Sequence, residues 1–163
     1  MLEFKQLYET YATEVYRFSL WLAREGADAE DITSETFVRA WSRRDDIRTE
    51  TLKAYLFTIA RNIYLEGRRK ARHHKALEDV HPDPGPGPDR LLETQMELER
   101  VCEILRRLPE DDRAAFVMRT EHGLPYEEIA RVLGLSLSSA KVKVHRVRRK
   151  LLTDRIKREG SQP

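Results

Sequence analysis

Apolar residues near the start of the chain recur at spacings of three and four: Phe4, Leu7, Tyr11, Val15, Phe18 and Leu22. That period lines them along one stripe of a helix, which Gly26 is expected to end. Asp28 follows as the expected N-cap of a second helix, with Asp31 in the place of a capping-box acid. Ile32, Thr36, Phe37 and Ala40 face inward from this helix, while Asp31, Ser34, Glu35 and Val38 face the other way. A charged connection over 42–50 leads to a long helix over 51–73, whose inward stripe is Leu52, Leu56, Ile59, Ala60 and Ile63.

Helix cannot continue through His81-Pro82-Asp83-Pro84-Gly85-Pro86-Gly87-Pro88-Asp89, which holds four of the seven prolines. Proline lacks a backbone donor and restricts the residue before it, so the segment is expected to be a stiff, extended linker. Beyond it Leu98, Val101, Leu105 and Leu108 predict another amphipathic helix, stopped by Pro109. Asp111 or Asp112 then caps a helix with Ala115, Phe116 and Met118, which Gly123 terminates. The fold class is therefore all-α, with two small helical domains joined by a Pro/Gly-rich linker. The expected boundaries are 1–75 for the first domain, 76–93 for the linker, 94–157 for the second domain and 158–163 for a tail. No internal repeat is visible.

The strongest local pattern lies in the second domain. Pro125 to Leu133 is a short helix with Ile129, Ala130 and Leu133 apolar, and Gly134 follows where a turn wants positive φ. Leu135 is expected to tuck under the turn, and Ser136 is a good N-cap for the next helix. Leu137, Ala140, Val144, Val147 and Leu151 form that helix's inward stripe. Its other side presents Ser138, Lys141, Val142, His145, Arg146 and Arg149. This is a helix-turn-helix whose second helix suits the major groove of DNA. Ser138, Lys141, Val142, His145 and Arg146 are placed for base edges; Ser139, Lys143, Arg148, Arg149 and Lys150 are placed for phosphates. The bland alternative is a solvated basic helix. A glycine turn, a serine cap, an apolar period and one-sided charge coincide here, which favours DNA binding.

Composition sharpens this. The net charge is only +2, but it is segregated. From Ser136 to Arg158 nine cations face one acid, Asp154, and a second basic run covers Arg68, Arg69, Lys70, Arg72 and Lys75. Acids gather over 25–35 and 110–112. Such segregation suits a protein that meets DNA on some faces and a protein partner on others. With 36% charged and 40% hydrophobic residues, each domain has a modest core, and stabilisation by a partner is plausible. Cys102 is the single cysteine, so no intrachain disulfide can form. It falls beside the apolar stripe of its helix and is expected to be a small buried hydrophobe. The chain has no apolar run suited to a signal peptide or a membrane span, and it is expected to be soluble and cytoplasmic.

Taken together these segments resemble the extracytoplasmic-function (ECF) sigma factors of the sigma-70 family, over roughly residues 4 to 153. Asp28 to Trp41 resembles the segment by which they bind core RNA polymerase, and Tyr55 to Asn62 resembles the start of their promoter-melting helix. Leu108-Pro109-Glu110, Tyr126 to Ala130 and Lys141 to Arg146 resemble successive parts of their C-terminal DNA-binding domain. The resemblance implies that the first domain docks on the β′ clamp helices of the polymerase through Asp31, Ser34, Glu35, Val38 and Trp41. Val38 with Trp41 would supply a desolvated anchor; plain core burial of Trp41 is as good a reading.

It further implies that the first domain opens the minus-ten element with Arg61, Asn62, Tyr64 and Arg68. Cations and an aromatic on one face suit single-stranded DNA, and the connection over 42–50 would capture a flipped base at a cost of a few kcal/mol. The second domain would bind the minus-thirty-five element through Ser138, Ser139, Lys141, Val142, Lys143, His145, Arg146 and Arg149, and the polymerase β flap on its other surface. An anti-sigma factor is implied as a further partner. Ser34 stands where the family often has glutamine, Ser139-Ala140 where Thr-Val is usual, and Glu66 where aspartate is usual. Gly67 within the melting helix costs about 1 kcal/mol relative to alanine.

Other chemistries are not favoured. His73, His74 and His81 lack the spacing of a metal site and are expected in solvent. There is no glycine-rich phosphate loop, nucleophile elbow or pair of catalytic acids, so no enzymatic activity, metal or cofactor is expected. Two alternatives stand beside the sigma factor: a dimeric helix-turn-helix regulator, and a helical protein-interaction module.

Overall fold

The computed structural model of the chain describes residues 3–48, 51–74 and 92–161, with the side chains of 72–74 and 92–94 outside that description. It is all-helical over these residues, and its backbone divides into two compact units. The first contains α1 (Phe4–Ala23), α2 (Gly26–Ser42) and α3 (Leu52–His74), with a 3-10 turn at Arg44–Asp46. Beyond it lie α4 (Leu92–Arg107), α5 (Glu110–Thr120), α6 (Tyr126–Leu133) and α7 (Leu137–Gly160), the second unit holding all of them but Arg131–Gly134. The Pro/Gly run expected as a linker lies outside the described residues.

In the first unit each helix packs on both others. Leu7, Val15, Phe18 and Leu22 from α1 meet Ile32, Phe37 and Ala40 from α2 and Leu52, Leu56 and Ala60 from α3 in a solvent-free core. Phe18 stacks on Phe57 with ring centroids 4.4 Å apart. Phe57 and Ala54 are buried although the predicted stripe of α3 omitted them, whereas Ile59 and Ile63 are only half-buried. The stripe is wider than predicted because α3 is covered from two sides, by α1 and by α2. Phe4 is the exception at the other end, 40% exposed in the first turn of α1. Thr33 and Thr36 can face inward because their hydroxyls donate to the carbonyls of Ala29 and Ile32, each at 2.6 Å, so neither hydroxyl is left wanting.

Two boundary expectations are corrected. α1 ends at Ala23, and the left-handed cap residue is Arg24, with φ 68° and its N–H on the Leu20 carbonyl. Gly26 does not end α1; it is the first residue of α2. Asp28 is likewise not the N-cap of α2. That place belongs to Glu25, whose carbonyl accepts from Ala29 at 2.9 Å, which leaves Asp28 in the first turn. There an acid still complements the positive end of the helix.

In the second unit Leu105 and Leu108 anchor the end of α4 against Ala114, Ala115, Val117 and Met118 of α5 and Ala140, Val144 and Val147 of α7. Leu98, expected inward, is 57% exposed, and Leu137 is 39% exposed, because burial on α4 is concentrated at its C-terminal turns and on α7 from Ala140 onward. The α5 cap is also different from expectation. Pro109 is the N-cap; neither Asp111 nor Asp112 caps the helix in that position. Their carboxylates turn toward α7 instead. Buried Arg113 takes over a terminal duty, its guanidinium donating to the Leu108 carbonyl at 3.3 Å at the end of α4. α5 stops at Thr120, and Gly123 takes φ +66° in the turn beyond it. α7 runs to Gly160, well past the apolar stripe that predicted it.

Candidate nucleic-acid and protein interfaces

On α2 the face opposite the core presents Asp31, Ser34 and Glu35, all exposed, and Val38, 63% exposed. Trp41 is half-buried: its ring meets Phe4 edge-on at 5.4 Å, and the Arg44 guanidinium lies 4.7 Å from its centroid. Trp41 is thus neither fully buried nor fully exposed. The α1 aromatics Phe4 and Tyr8, the latter 45% exposed, continue the apolar surface beside Trp41, a feature no periodicity argument separates from core. Arg39 ties this face to α3. It donates to Glu35 at 3.0 Å and grips both oxygens of Glu66 at 3.1 and 3.4 Å. The Arg39 hydrogen bond is the main reason Glu66 sits below the ordinary carboxylate range, aided by Lys70 and Arg69.

On α3 the four candidates differ in exposure. Asn62 and Arg68 are exposed, while Arg61 and Tyr64 are half-buried. Arg68 lies 5.7 Å from the Tyr64 ring, one helical turn away, so cation and aromatic share one surface. The connection that precedes α3 is exposed over Arg43 to Asp46.

The α6–turn–α7 segment forms as its sequence suggests. Gly134 takes φ +66°, and the Ser136 hydroxyl accepts from the Ser139 N–H at 3.2 Å. Leu135 is half-buried under the turn. Behind this cap α7 projects Ser138, Lys141, Val142, His145, Arg146 and Arg149 into solvent on the side away from Ala140, Val144 and Val147. Ser139 is partly covered and bonded to the Ser136 hydroxyl. Lys143 is not on that face. Its ammonium sits 2.9 Å from Asp111 and 3.0 Å from Asp112, with 17% of the side chain exposed. Tyr126, at the start of α6, lies under two cations, Arg119 at 4.4 Å and Lys141 at 5.9 Å.

A groove between α4, α5 and α7 is lined by Val101, Phe116, Leu151 and Leu152 and rimmed by Arg148 and Arg155. Cys102 is half-buried rather than fully buried, and that partial burial raises its thiol above the ordinary value. Among the described residues no cluster of three or more His, Cys, Asp and Glu could hold a metal, and no helix is long and apolar enough to cross a membrane. The side chains of His73, His74 and His81 lie outside the described residues.

Residues 7–74 match the profile of Sigma-70 region 2, and residues 98–151 match that of Sigma-70 region 4. The chain is 32% identical over 133 residues to the RNA polymerase sigma factor NccH of Alcaligenes xylosoxydans xylosoxydans, covering 77% of this chain and 72% of NccH. The chain belongs to the ECF sigma factors of the sigma-70 family. It is also 31% identical to the ECF RNA polymerase sigma factor SigE of Mycolicibacterium smegmatis, over 93% of its own length but only 61% of that relative's.

Two solved structures are similar to this sigma factor throughout. RpoE of Bartonella quintana, in complex with the anti-sigma factor NepR, aligns with TM-score 0.71 at 27% identity, covering 91% of this chain and 93% of that one. CnrH, in complex with the cytosolic domain of CnrY, aligns with TM-score 0.67 at 26% identity, covering 92% and 85%.

Proposed function

We propose that this sigma factor binds core RNA polymerase and directs it to promoter DNA, working in the cytoplasm without catalytic activity or a cofactor of its own. The observation that carries this is α7, a helix capped at Ser136 that turns Lys141, Arg146 and Arg149 to solvent while Ala140, Val144 and Val147 are buried. A free basic helix would need neither the cap nor the glycine turn that sets it beside α6. Lys141, Val142, His145 and Arg146, with Ser138, read bases of the minus-thirty-five element, and Arg149 neutralises phosphate. Ser139 holds the first turn of the helix as it meets DNA.

In the first unit, Asp31, Ser34, Glu35, Val38 and Trp41 dock on the β′ clamp helices. The acids suit a basic partner, and Val38 beside the Trp41 edge offers the apolar centre that hot spots require. Arg61, Asn62, Tyr64 and Arg68 engage the minus-ten strand by neutralising phosphates and stacking bases. Residues 1–75 and 94–157 thereby act as separate promoter readers. The groove lined by Val101, Phe116, Leu151 and Leu152 is the seat proposed for the β flap. The relatives of known structure are held by anti-sigma factors, which supports control of this chain by an inhibitor that occludes the same faces. Run-off transcription with purified core polymerase across genomic promoters tests the proposal. Initiation at defined start sites, dependent on this chain, is expected; its absence would defeat the reading.

A further inference from the structure

Asp112 is a charged residue in an improbable place. It is 2% exposed in the first turn of α5, packed beneath the DNA-facing helix rather than on it. A buried carboxylate is costly unless paired, and both of its oxygens are committed to α7. One accepts from the Lys143 ammonium at 3.0 Å, and the other lies 3.6 Å from the Arg146 guanidinium. Asp111 takes the same ammonium at 2.9 Å. Hydrogen bonding to Asp111 and then Asp112 holds the Lys143 pKa above that of an ordinary lysine, against the opposing effect of burial. The two cations are left in different states. Lys143 is enclosed by its acids, whereas 61% of the Arg146 side chain stays in solvent, tethered at one end and open at the other.

Resting on the promoter-binding role proposed above, we propose that Asp112 is a positioning residue for promoter recognition, which keeps Lys143 away from DNA phosphates and aims Arg146 at its base. Lys143 then fixes the height and rotation of α7 on α5. Non-specific affinity falls by the cation so withdrawn, and discrimination rises because Arg146 meets DNA with fewer orientations to lose.

The test uses holoenzyme made from the full chain and core polymerase, binding duplexes with and without the minus-thirty-five element over a range of salt. Asp112→Asn keeps the shape and removes the charge; discrimination should fall roughly tenfold, the scale of one well-aimed side chain. In an Arg146→Ala background the same substitution should cost nothing further, since Asp112 acts through Arg146. Adding Asp111→Asn frees Lys143 and should steepen the log–log salt dependence by about 0.9.

Should Asp112→Asn lose its helical circular dichroism, Lys143→Gln carries the test. It should leave the salt dependence as it is, since Lys143 meets no phosphate, and a slope shallower by about 0.9 overturns the withdrawal of Lys143. Full additivity between Asp112→Asn and Arg146→Ala overturns the positioning role. A wild-type holoenzyme that ignores the minus-thirty-five element defeats the promoter-binding role itself, a result distinct from a discriminating wild type that Asp112→Asn leaves unchanged.

Discussion

α3 and α7 are both helices with a buried stripe on one side and cations on the other, yet their cations are held by different means. On α3 the ordering of Arg68 is local and exposed: it lies over Tyr64 a turn away. On α7 the ordering comes from other helices. Lys143 is enclosed by two acids of α5, and Lys141 lies over Tyr126 of α6. The lesson is one of preorganisation. Duplex DNA presents a fixed groove, so a reader of base edges gains from cations whose freedom was lost on folding. A separated strand has no fixed shape, and surface cations beside an aromatic can follow it. The proposed division between minus-thirty-five reading and minus-ten opening matches that difference.

The largest expected effect tests whether the two units stand separately. Phe57→Ala removes the partner of the Phe18 stack and should cost about 3–5 kcal/mol. Thermal unfolding followed by amide hydrogen exchange should show α1–α3 melting early while α4–α7 keeps its own transition; a common shift in both would break the comparison. Next come the two DNA faces. Asn62→Ala should reduce promoter opening, read as permanganate reactivity of unpaired thymines, by roughly tenfold with little change in duplex binding. Lys141→Ala should do the reverse, lowering the log–log salt slope of duplex binding by about 0.9. Equal effects of both variants on both readouts would erase the distinction.

Ser136→Ala should destabilise the second unit by about 1 kcal/mol, measured by urea denaturation, through loss of the α7 cap. A smaller effect is pH-dependent. Burial pushes Asp111 up, but Lys143 outweighs it and holds the carboxyl below its ordinary value of 3.8, while Lys143 is held above its ordinary 10.5. The Asp111 share of stability is therefore complete above its ordinary value and fades as pH falls through the lowered one. The Lys143 share is complete below its ordinary value and fades as pH rises through the raised one. Asp111→Asn should flatten the acid limb of the second unit's stability curve by less than about 1 kcal/mol, since the carboxylate is partly solvated. Smallest of all, Glu66→Gln should cost the first unit about 0.5 kcal/mol or less, because both partners are at the surface. A large loss there would mean that the α3 surface is as firmly held as that of α7.

Much of this was legible before any coordinates. Spacings of three and four set the all-helical class, the inward residues Ile32, Phe37, Leu56 and Val144, and the solvent-facing set on α7, because helix period is a local property of the chain. Gly134 and Ser136 announced the turn and the cap for the same reason: each acts within four residues of itself. Helix ends near Gly26 and Asp28 were misjudged, since cap signals compete with neighbours and packing chooses among them. What the tertiary structure alone decided was the fate of charges whose partners are remote in sequence. Asp112 and Lys143 are separated by 31 positions, as Arg39 and Glu66 are by 27. An ammonium on a basic helix looks the same in sequence whether it faces DNA or a buried carboxylate, and only the packing of α5 on α7 distinguishes the two.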